Sequence, residues 1–197
     1  MAPLSGNKIL ATSRRPGVLG RMACSLSFLL ALFLAPRAAK SADEPTLEYQ
    51  VKATFLLNYT KFTEWPPSAF ASPTAPISIC VLGEDPFNGA LRQILEGETV
   101  GARRVVTQQI RQAPPLHTCQ IIFLSGDQRE NLKKLLPQFG PGVLTVGEGD
   151  GFLRAGGMIA FVIENRRVRF DIHQTAAENA GLKLSSKLLS VARSVEK

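Results

Sequence analysis

Two adjacent carboxylates, Glu84 and Asp85, follow an apolar run of strand length, Ile77 to Leu82. Carboxylates at the end of a strand can hold Mg²⁺ beside a phosphorylated aspartate, because that ion prefers oxygen ligands. Such chemistry also needs a lysine after a later strand, and no lysine is convincingly placed there. We therefore do not expect phosphoryl chemistry at this pair.

Three other patterns could carry chemistry, but none forms a complete set. The loop GEGDGF, residues 147–152, lacks the lysine of a phosphate-binding loop and the glycine spacing of a dinucleotide site. His117 and His173 lie far apart without ligand-spaced neighbours, which argues against zinc. Ser185 stands near Lys187, but it is also well placed to cap a helix. We expect no catalytic residue, metal site or cofactor, and hence a protein that is not an enzyme.

The elements that must position these residues alternate between strands and helices. The first predicted helix has an aromatic stripe at helical spacing, by which we expect it to pack: Leu47, Val51, Phe55, Tyr59 and Phe62. Glu48 and Lys52 form an i,i+4 pair that we expect on its other side. Trp65-Pro66 ends the helix, because a residue before proline is displaced from the α region.

Strands are then predicted over residues 77–82, 100–110, 121–125 and 143–146, with helices from Asp85 through Leu95 and from Asp127 to about Phe139. A hairpin of residues 158–164 and 168–172 follows, then a short helix ended by Gly181 and a last helix capped by Ser185. This alternation predicts an α/β fold: a single three-layer domain whose largely parallel sheet has helices on both faces and ends in a C-terminal β-hairpin plus helix.

In such a fold, ligands tend to bind in the crevice at the ends of the strands. The segments expected there contain Glu84 to Phe87, Ser125-Gly126 and Gly147 to Phe152, although capping aspartates and turn glycines explain each segment equally well. Trp65 and the arginines near the hairpin are further candidates. The candidate crevice or interface residues are Trp65, Glu84, Asp85, Phe87, Phe152, Arg154, Arg169 and His173.

The basic charge of the chain is concentrated at its N-terminus. Residues 1–41 hold six of the 23 basic residues and no acid, so residues 42–197 carry 17 bases against 16 acids, and a nucleic-acid partner is not expected. Arg14, Arg15 and Arg21 precede the apolar run Met22 to Ala35, which predicts a secretory signal peptide over residues 1–41, cleaved near Ser41/Ala42. An uncleaved anchor is the alternative.

Removal of this leader leaves two cysteines, Cys80 and Cys119. In an oxidising compartment such a pair most simply forms a disulfide, although two buried free thiols would also fit. A bond between them would close a loop of about 39 residues, which the chain-entropy argument values at roughly 4 kcal/mol.

Four segments in order, Leu47 to Pro66, Val81 to Phe87, Ile121 to Ser125 and Gly156 to Val195, make the chain resemble the YfiR-like family of bacterial periplasmic regulators. The resemblance covers residues 48–195 and implies a YfiR-like periplasmic domain over residues 42–197. It favours the internal disulfide, whereas a second cysteine pair of some members is missing here. At Asp171 and His173 the resemblance leads us to expect glutamate and asparagine.

The resemblance implies a regulatory binding protein that represses an inner-membrane diguanylate cyclase through the cyclase's periplasmic sensor domain, and so lowers cyclic-di-GMP signalling. An outer-membrane lipoprotein is a further implied partner, because it can relieve such repression. A homodimer would suit a dimeric target. The alternative is a periplasmic small-ligand receptor that acts on another membrane protein.

Overall fold

A mixed eight-stranded sheet forms the middle layer of the computed structural model, which describes residues 46–197. The predicted signal peptide lies outside the described residues. The strands of this sheet are β2, Ile77–Leu82; β3, Thr99–Val100; β4, Arg103–Ile110; β5, Ile121–Leu124; β6, Leu144–Glu148; β7, Ile159–Glu164; β8, Arg167–His173; and β10, Ser194–Glu196. Along the sheet they have the order β3-β4-β2-β5-β6-β7-β8-β10. A separate two-stranded ribbon pairs β1, Thr63–Glu64, with β9, Lys183–Leu184.

The five central strands β4-β2-β5-β6-β7 are all parallel, and their order is that of a doubly wound sheet. The chain runs from β2 outward to β4 and then crosses back to β5 on the other side of β2. The strand order therefore changes direction between β2 and β5. The antiparallel strand β8 pairs with β7, as the predicted hairpin requires.

Helices cover both faces of the sheet. Their bounds are Leu47–Phe62 for α1, Ala90–Leu95 for α2, Leu132–Leu135 for α3, Gly151–Arg154 for α4, Gln174–Asn179 for α5 and Ser186–Val191 for α6. One core layer joins α1, α2, α5 and α6 to strand residues such as Ile79 and Phe161. The other joins α3 and α4 to the alternate strand residues, such as Leu82 and Ala160. The predicted three-layer α/β fold is confirmed.

The face of α1 that is buried differs from the predicted aromatic stripe. Leu47 is 76% exposed, whereas Val51, Phe55 and Phe62 are half-buried, and only Tyr59 of the stripe is fully buried. The helix instead packs most deeply through its small and aliphatic neighbours, Ala53, Leu56 and Leu57. Lys52, expected on the solvent side, is only 3% exposed. The apolar surface of α1 is wider than the strip that packs in the core, and Lys52 is buried because it pairs with Glu148.

Two predicted helices are shorter than expected. The helix after β2 begins at Ala90 and not at Asp85, because the Asp85 carboxylate accepts a hydrogen bond from the backbone N–H of Phe87 (2.9 Å) and closes a turn. The helix after β5 is broken into a 3₁₀ turn over Gly126–Asn131, the single turn α3 and a 3₁₀ turn over Leu136–Gln138. Pro137 interrupts it, because proline has no N–H to donate.

Three local predictions are confirmed, and four short strands were missed. Gly181 follows α5 with a left-handed backbone (φ +79°), and the Ser185 hydroxyl accepts a hydrogen bond from the N–H of Leu188 at the start of α6 (3.2 Å). The hairpin turns at Asn165-Arg166, where φ is positive at both residues (51° and 60°). The predicted strand 100–110 is itself a hairpin, β3 and β4, which turns at Gly101. The short strands β1, β9 and β10 were not predicted.

Candidate functional site

The predicted disulfide is present. Cys80 in β2 is bonded to Cys119, which lies just before β5; both are buried, and their Cα atoms are 5.8 Å apart. The side-chain amide of Gln108 contacts both sulfur atoms, at 3.2 and 3.8 Å. The bond belongs to the core layer on the side of the sheet away from α1.

The candidate crevice residues do not form one site. Phe87 and Phe152 are both fully buried, but they belong to opposite core layers. Phe87 packs edge-on against Phe123, with ring centroids 5.0 Å apart. Phe152 lies against Gly147 and Gly157, where any added Cβ would overlap its ring. These glycines are therefore needed for space, and both aromatic residues are structural.

Trp65 and His173 also have structural roles, at the opposite end of the strands from Glu84 and Asp85. The Trp65 indole N–H donates to the carbonyl of Gln120 (3.2 Å), and the His173 Nδ1 accepts a hydrogen bond from the N–H of Ala176, which caps α5 (3.1 Å). Within residues 46–197, the side chains of Glu84, Arg154 and Arg169 make no hydrogen bond or ion pair.

The buried residue Gln120 was missed by the sequence analysis. Its side-chain oxygen accepts from the N–H of Ser78 (2.8 Å), and its amide donates to the carbonyl of Ala69 (2.7 Å). It thereby connects β2 to the 3₁₀ turn over Pro67–Ala69. A lone glutamine before an apolar strand carries no signal of such a role, since its partners are distant in sequence.

A partly buried ionic cluster lies at the carboxyl end of β6, with Lys52 and Glu148 inside, Glu48 partly exposed and Arg129 exposed. The Lys52 ammonium donates to Glu148 (2.6 Å) and to Glu48, and the Arg129 guanidinium lies 3.7 Å from the other carboxylate oxygen of Glu148. Two carboxylates thus face two cations. The sequence showed only the i,i+4 pair of Glu48 and Lys52, because Glu148 is 96 residues from Lys52.

Tyr49 completes this ionic cluster. Its ring lies 4.4 Å from the Lys52 ammonium and packs edge-on against Phe87. Burial, together with the charge of Glu148 and a hydrogen bond to it, raises the pKa of Tyr49 to about 12. The tyrosine is therefore neutral at physiological pH, and the cluster contains no activated nucleophile.

Asp171 and Arg193 hold the C-terminal strand to the hairpin. The Arg193 guanidinium donates to both carboxylate oxygens of Asp171, and the Nε contact measures 2.9 Å. Burial alone would raise the pKa of Asp171, but hydrogen bonds from Arg193 and Ser194 lower it below its ordinary value. The aspartate at this position therefore has a structural partner.

An apolar groove of about 590 Å³ opens between α1 and the β7–β8 hairpin. We call it the α1–hairpin groove; its lining includes Leu47, Val51, Phe55, Ile163, Arg166, Arg167 and Val168. Leu47 and Ile163 are 76% and 54% exposed, which is unusual for large apolar side chains that lie close together. Three members of the stripe that we expected in the core, Leu47, Val51 and Phe55, thus form one wall of this groove.

A smaller aromatic pocket of about 160 Å³ continues the groove beyond Phe55 towards α6. It is lined by Phe55, Asn58, Tyr59, Phe62, Phe170, Lys187, Leu188 and Val191. Among the described residues, the buried hydroxyl of Tyr59 has no hydrogen-bond partner, and burial raises the pKa of this group well above its ordinary value.

The charges around the groove and the pocket that lack a partner are all positive. Arg166, Arg167 and Lys187 are exposed, and none of them has an ion-pair partner within residues 46–197. The nearby acid, Glu48, is already bound by Lys52. This surface therefore combines exposed apolar side chains with uncompensated positive charge.

Within residues 46–197, no helix has both the length and the apolar character that crossing a bilayer requires. The described residues also contain no group of three or more His, Cys, Asp and Glu side chains that could hold a metal ion.

The solved structures that resemble the chain in backbone arrangement include two distant ones. A conserved domain protein from Vibrio cholerae O1 biovar El Tor matches with a TM-score of 0.49 and 9% identity, and the ABC domain in complex with L-Trp from Streptococcus pneumoniae matches with a TM-score of 0.44 and 10% identity. Each match covers 75% of this chain and 60% of the other chain, so the chain spans about three-fifths of the length of these proteins.

No curated protein matches the chain significantly. The comparison with family models does find a match, over residues 49–193, which include most of α1, all strands of the parallel core and the hairpin. The model is described as YfiR/HmsC-like. Because the match spans most of the chain, and nearly all of its described part, the protein belongs to the YfiR/HmsC-like family.

Proposed function

We propose that the chain is a periplasmic regulatory binding protein that represses a membrane-bound diguanylate cyclase through the cyclase's periplasmic sensor domain, and so lowers cyclic-di-GMP signalling. The observation that carries the proposal is the α1–hairpin groove, where exposed apolar side chains adjoin unpaired cations. Such a surface suits a protein partner better than a small polar ligand. The family match and the predicted signal peptide support a periplasmic regulator.

Repression of this kind needs no chemistry in the repressor. A binding protein shifts a two-state partner only by binding one state more tightly than the other. To move a cyclase from almost fully active to almost fully inactive, the ratio of the two affinities would have to be about 10⁴. An outer-membrane lipoprotein that competes for the same chain would relieve the repression, since it would lower the concentration of free repressor.

A small-ligand receptor is less well supported. The groove at the carboxyl end of β6 has a volume of about 400 Å³ and is lined by Arg129, Glu130, Lys133, Glu148 and Asp150, among others. Charges of both signs alternate there, and Arg129 and Glu148 already face each other. A ligand site needs convergent free polar groups that fix the orientation of the ligand, and this groove does not present them.

The proposal is tested with the exported full chain carrying an affinity tag after Lys197. The oxidised protein is used to capture detergent-solubilised membrane proteins of the host, and cyclic-di-GMP is measured in cells that lack the chain and in cells that express it again. We expect recovery of a diguanylate cyclase, together with cyclic-di-GMP that rises on deletion and falls on re-expression. Folded protein that recovers no cyclase, with cyclic-di-GMP unchanged, would overturn the proposal.

A further inference from the structure

The apolar wall of α1 is long enough to hold a helix of a partner. Leu47, Val51, Phe55 and Phe62 follow one another along the 16 residues of α1, which at 1.5 Å per residue extend over roughly 24 Å. Phe55 lines both the α1–hairpin groove and the aromatic pocket, so the two form one continuous surface. About four turns of a second helix would fit along it.

The surface is lined by side chains and not by free backbone groups. One wall is a helix, and the other is the face of the hairpin, to which Ile163 and Val168 contribute as a cross-strand pair. A partner strand would need an open sheet edge for its backbone hydrogen bonds, whereas the exposed apolar atoms lie on a sheet face. An amphipathic helix fits such a lining, because it presents apolar side chains at every third or fourth residue.

The charges indicate that this helix is acidic. Arg166, Arg167 and Lys187 border the surface without ion-pair partners among the described residues, while Glu48 is bound by Lys52. Cations beside a desolvated apolar surface favour a partner with carboxylates at matching positions. A basic or neutral helix would leave them uncompensated.

The backbone of Arg166 supports the same conclusion. Its φ of +60° lies in the left-handed region, which glycine adopts far more easily, and a two-residue turn of this kind prefers Asn-Gly. Arginine at this turn therefore costs some stability and places a cation at the groove. A residue that strains the backbone without a compensating contact within the fold is consistent with a role in binding.

We propose that the α1–hairpin groove and the adjoining aromatic pocket bind an acidic amphipathic helix of the partner's exported domain. Its apolar face would cover Val51, Phe55 and Ile163, and its carboxylates would face Arg166, Arg167 and Lys187. This inference rests on the proposed function, because it assigns the surface through which the repressor engages its target.

The first test compares matched variants of the full chain in the capture assay. Arg166→Gly with Arg167→Ser removes both groove cations and relieves the strained backbone, whereas Lys133→Gln with Lys134→Gln removes two adjacent exposed cations from α3. Ile163→Ser is matched by Leu116→Ser, since these residues are 54% and 61% exposed. We expect both groove variants to lower the recovery of the partner about tenfold or more, with the control variants near wild type.

The result separates the two proposals. If wild-type protein recovers a cyclase and the groove variants recover it equally well, the groove assignment is wrong and the repressor proposal stands. If the Arg166 variant unfolds at a lower temperature than wild type, its loss of binding does not count, and Ile163→Ser decides. Folded wild-type protein that captures no cyclase, with cyclic-di-GMP unchanged on deletion, overturns both.

The second test locates the contact in cells. A photo-crosslinking amino acid replaces Val51 or Ile163, with Leu116 as the control position, and mass spectrometry identifies the crosslinked peptide. We expect a peptide from the exported domain of a cyclase. Its apolar residues should recur about every 3.6 residues, and it should also contain acidic residues. The same kind of peptide from another membrane protein would support the groove but overturn the cyclase proposal, whereas a peptide from a second copy of this chain, or no crosslink, would overturn the groove assignment.

Discussion

Helix α1 contributes to two regions, one in which the charged side chains have ion-pair partners and one in which they do not. At the carboxyl end of β6, Glu48 and Lys52 belong to a partly buried cluster in which each charge has a partner. On another side of α1, Val51 and Phe55 line the α1–hairpin groove, whose cations have no ion-pair partner within the described residues. We infer that compensated charge holds α1 to the sheet, while uncompensated charge beside exposed apolar surface remains for a binding partner.

The largest effect is expected from reduction of the disulfide, which should destabilise the fold without touching the groove. The disulfide between Cys80 and Cys119 lies on the face of the sheet away from α1. Closure of a 39-residue loop is worth about 4 kcal/mol, so reduction should lower the melting temperature by roughly 10 °C. The measurement is a thermal melt with and without reductant, with thiol titration to confirm reduction. An unchanged melt of fully reduced protein would contradict a structural role.

The next effect tests the ionic cluster. Lys52→Met removes a cation that is 3% exposed and leaves the nearly buried Glu148 without its closest partner, which should cost about 3 kcal/mol of unfolding free energy. Lys61→Met is the matched control, because the pair of Lys61 and Glu98 is exposed and should be worth at most about 1 kcal/mol. Urea unfolding measures both. Equal losses would remove the distinction between a buried and an exposed pair.

The two tyrosines of the chain report on the two regions separately. Tyr49 belongs to the ionic cluster and Tyr59 lines the aromatic pocket; burial raises the pKa of both, that of Tyr49 to about 12 from 10.0. The native protein should therefore show no tyrosinate absorbance near pH 10, where urea-unfolded protein titrates. Because the folded-state pKa values are the higher ones, the stability contributed by the neutral tyrosines is present below pH 10 and is lost as the pH rises towards 12.

One variant should separate the ionisation of Tyr49 from that of Tyr59. Glu148→Gln removes the negative charge that contributes to the shift of Tyr49, so the pKa of Tyr49 should fall towards 10 while that of Tyr59 stays high. Absorbance at the tyrosinate band, followed from neutral to alkaline pH, would then show one early and one late ionisation. Two simultaneous ionisations near pH 10 in the folded wild-type protein would contradict the burial of both groups.

The smallest expected effect belongs to the groove. Ile163→Ser alters an exposed side chain and should change the unfolding free energy by no more than about 0.5 kcal/mol. Arg166→Gly should raise stability slightly, since glycine adopts a φ of +60° without strain. Denaturant titration of both variants tests this. A loss as large as that of Lys52→Met would mean that the groove side chains hold the fold together, and the comparison would fail.

Much of the architecture could be predicted from local sequence. Alternating and 3.6-residue patterns placed the parallel strands, the hairpin and the helices on two faces, and the caps at Gly181 and Ser185 were visible as residue types at the right spacing. These features depend on backbone preferences within a few residues. For the same reason the short helix α2 was overestimated, because Asp85 can close a turn as readily as it can cap a helix.

The candidate site could be predicted far less well. Phe87 and Phe152 were expected at a crevice and are core residues, while Trp65 and His173 bind backbone groups of the fold. Gln120 and Glu148 were overlooked, since their partners lie tens of residues away. Position in a loop does not distinguish binding residues from core residues, because residues of both kinds follow strands.

By itself, the sequence determined the layered α/β fold, through local periodicity, and it indicated that Cys80 and Cys119 could pair. Only the tertiary structure decided which side of α1 meets the sheet. The sequence shows that α1 has a broad apolar surface, but the width of the sheet and the position of Glu148 select Ala53 and Leu56 for the core and bring Lys52 inside. Val51 and Phe55 are left beside Ile163 and Arg166, more than 100 residues later in the chain, and the groove exists only where these distant segments meet.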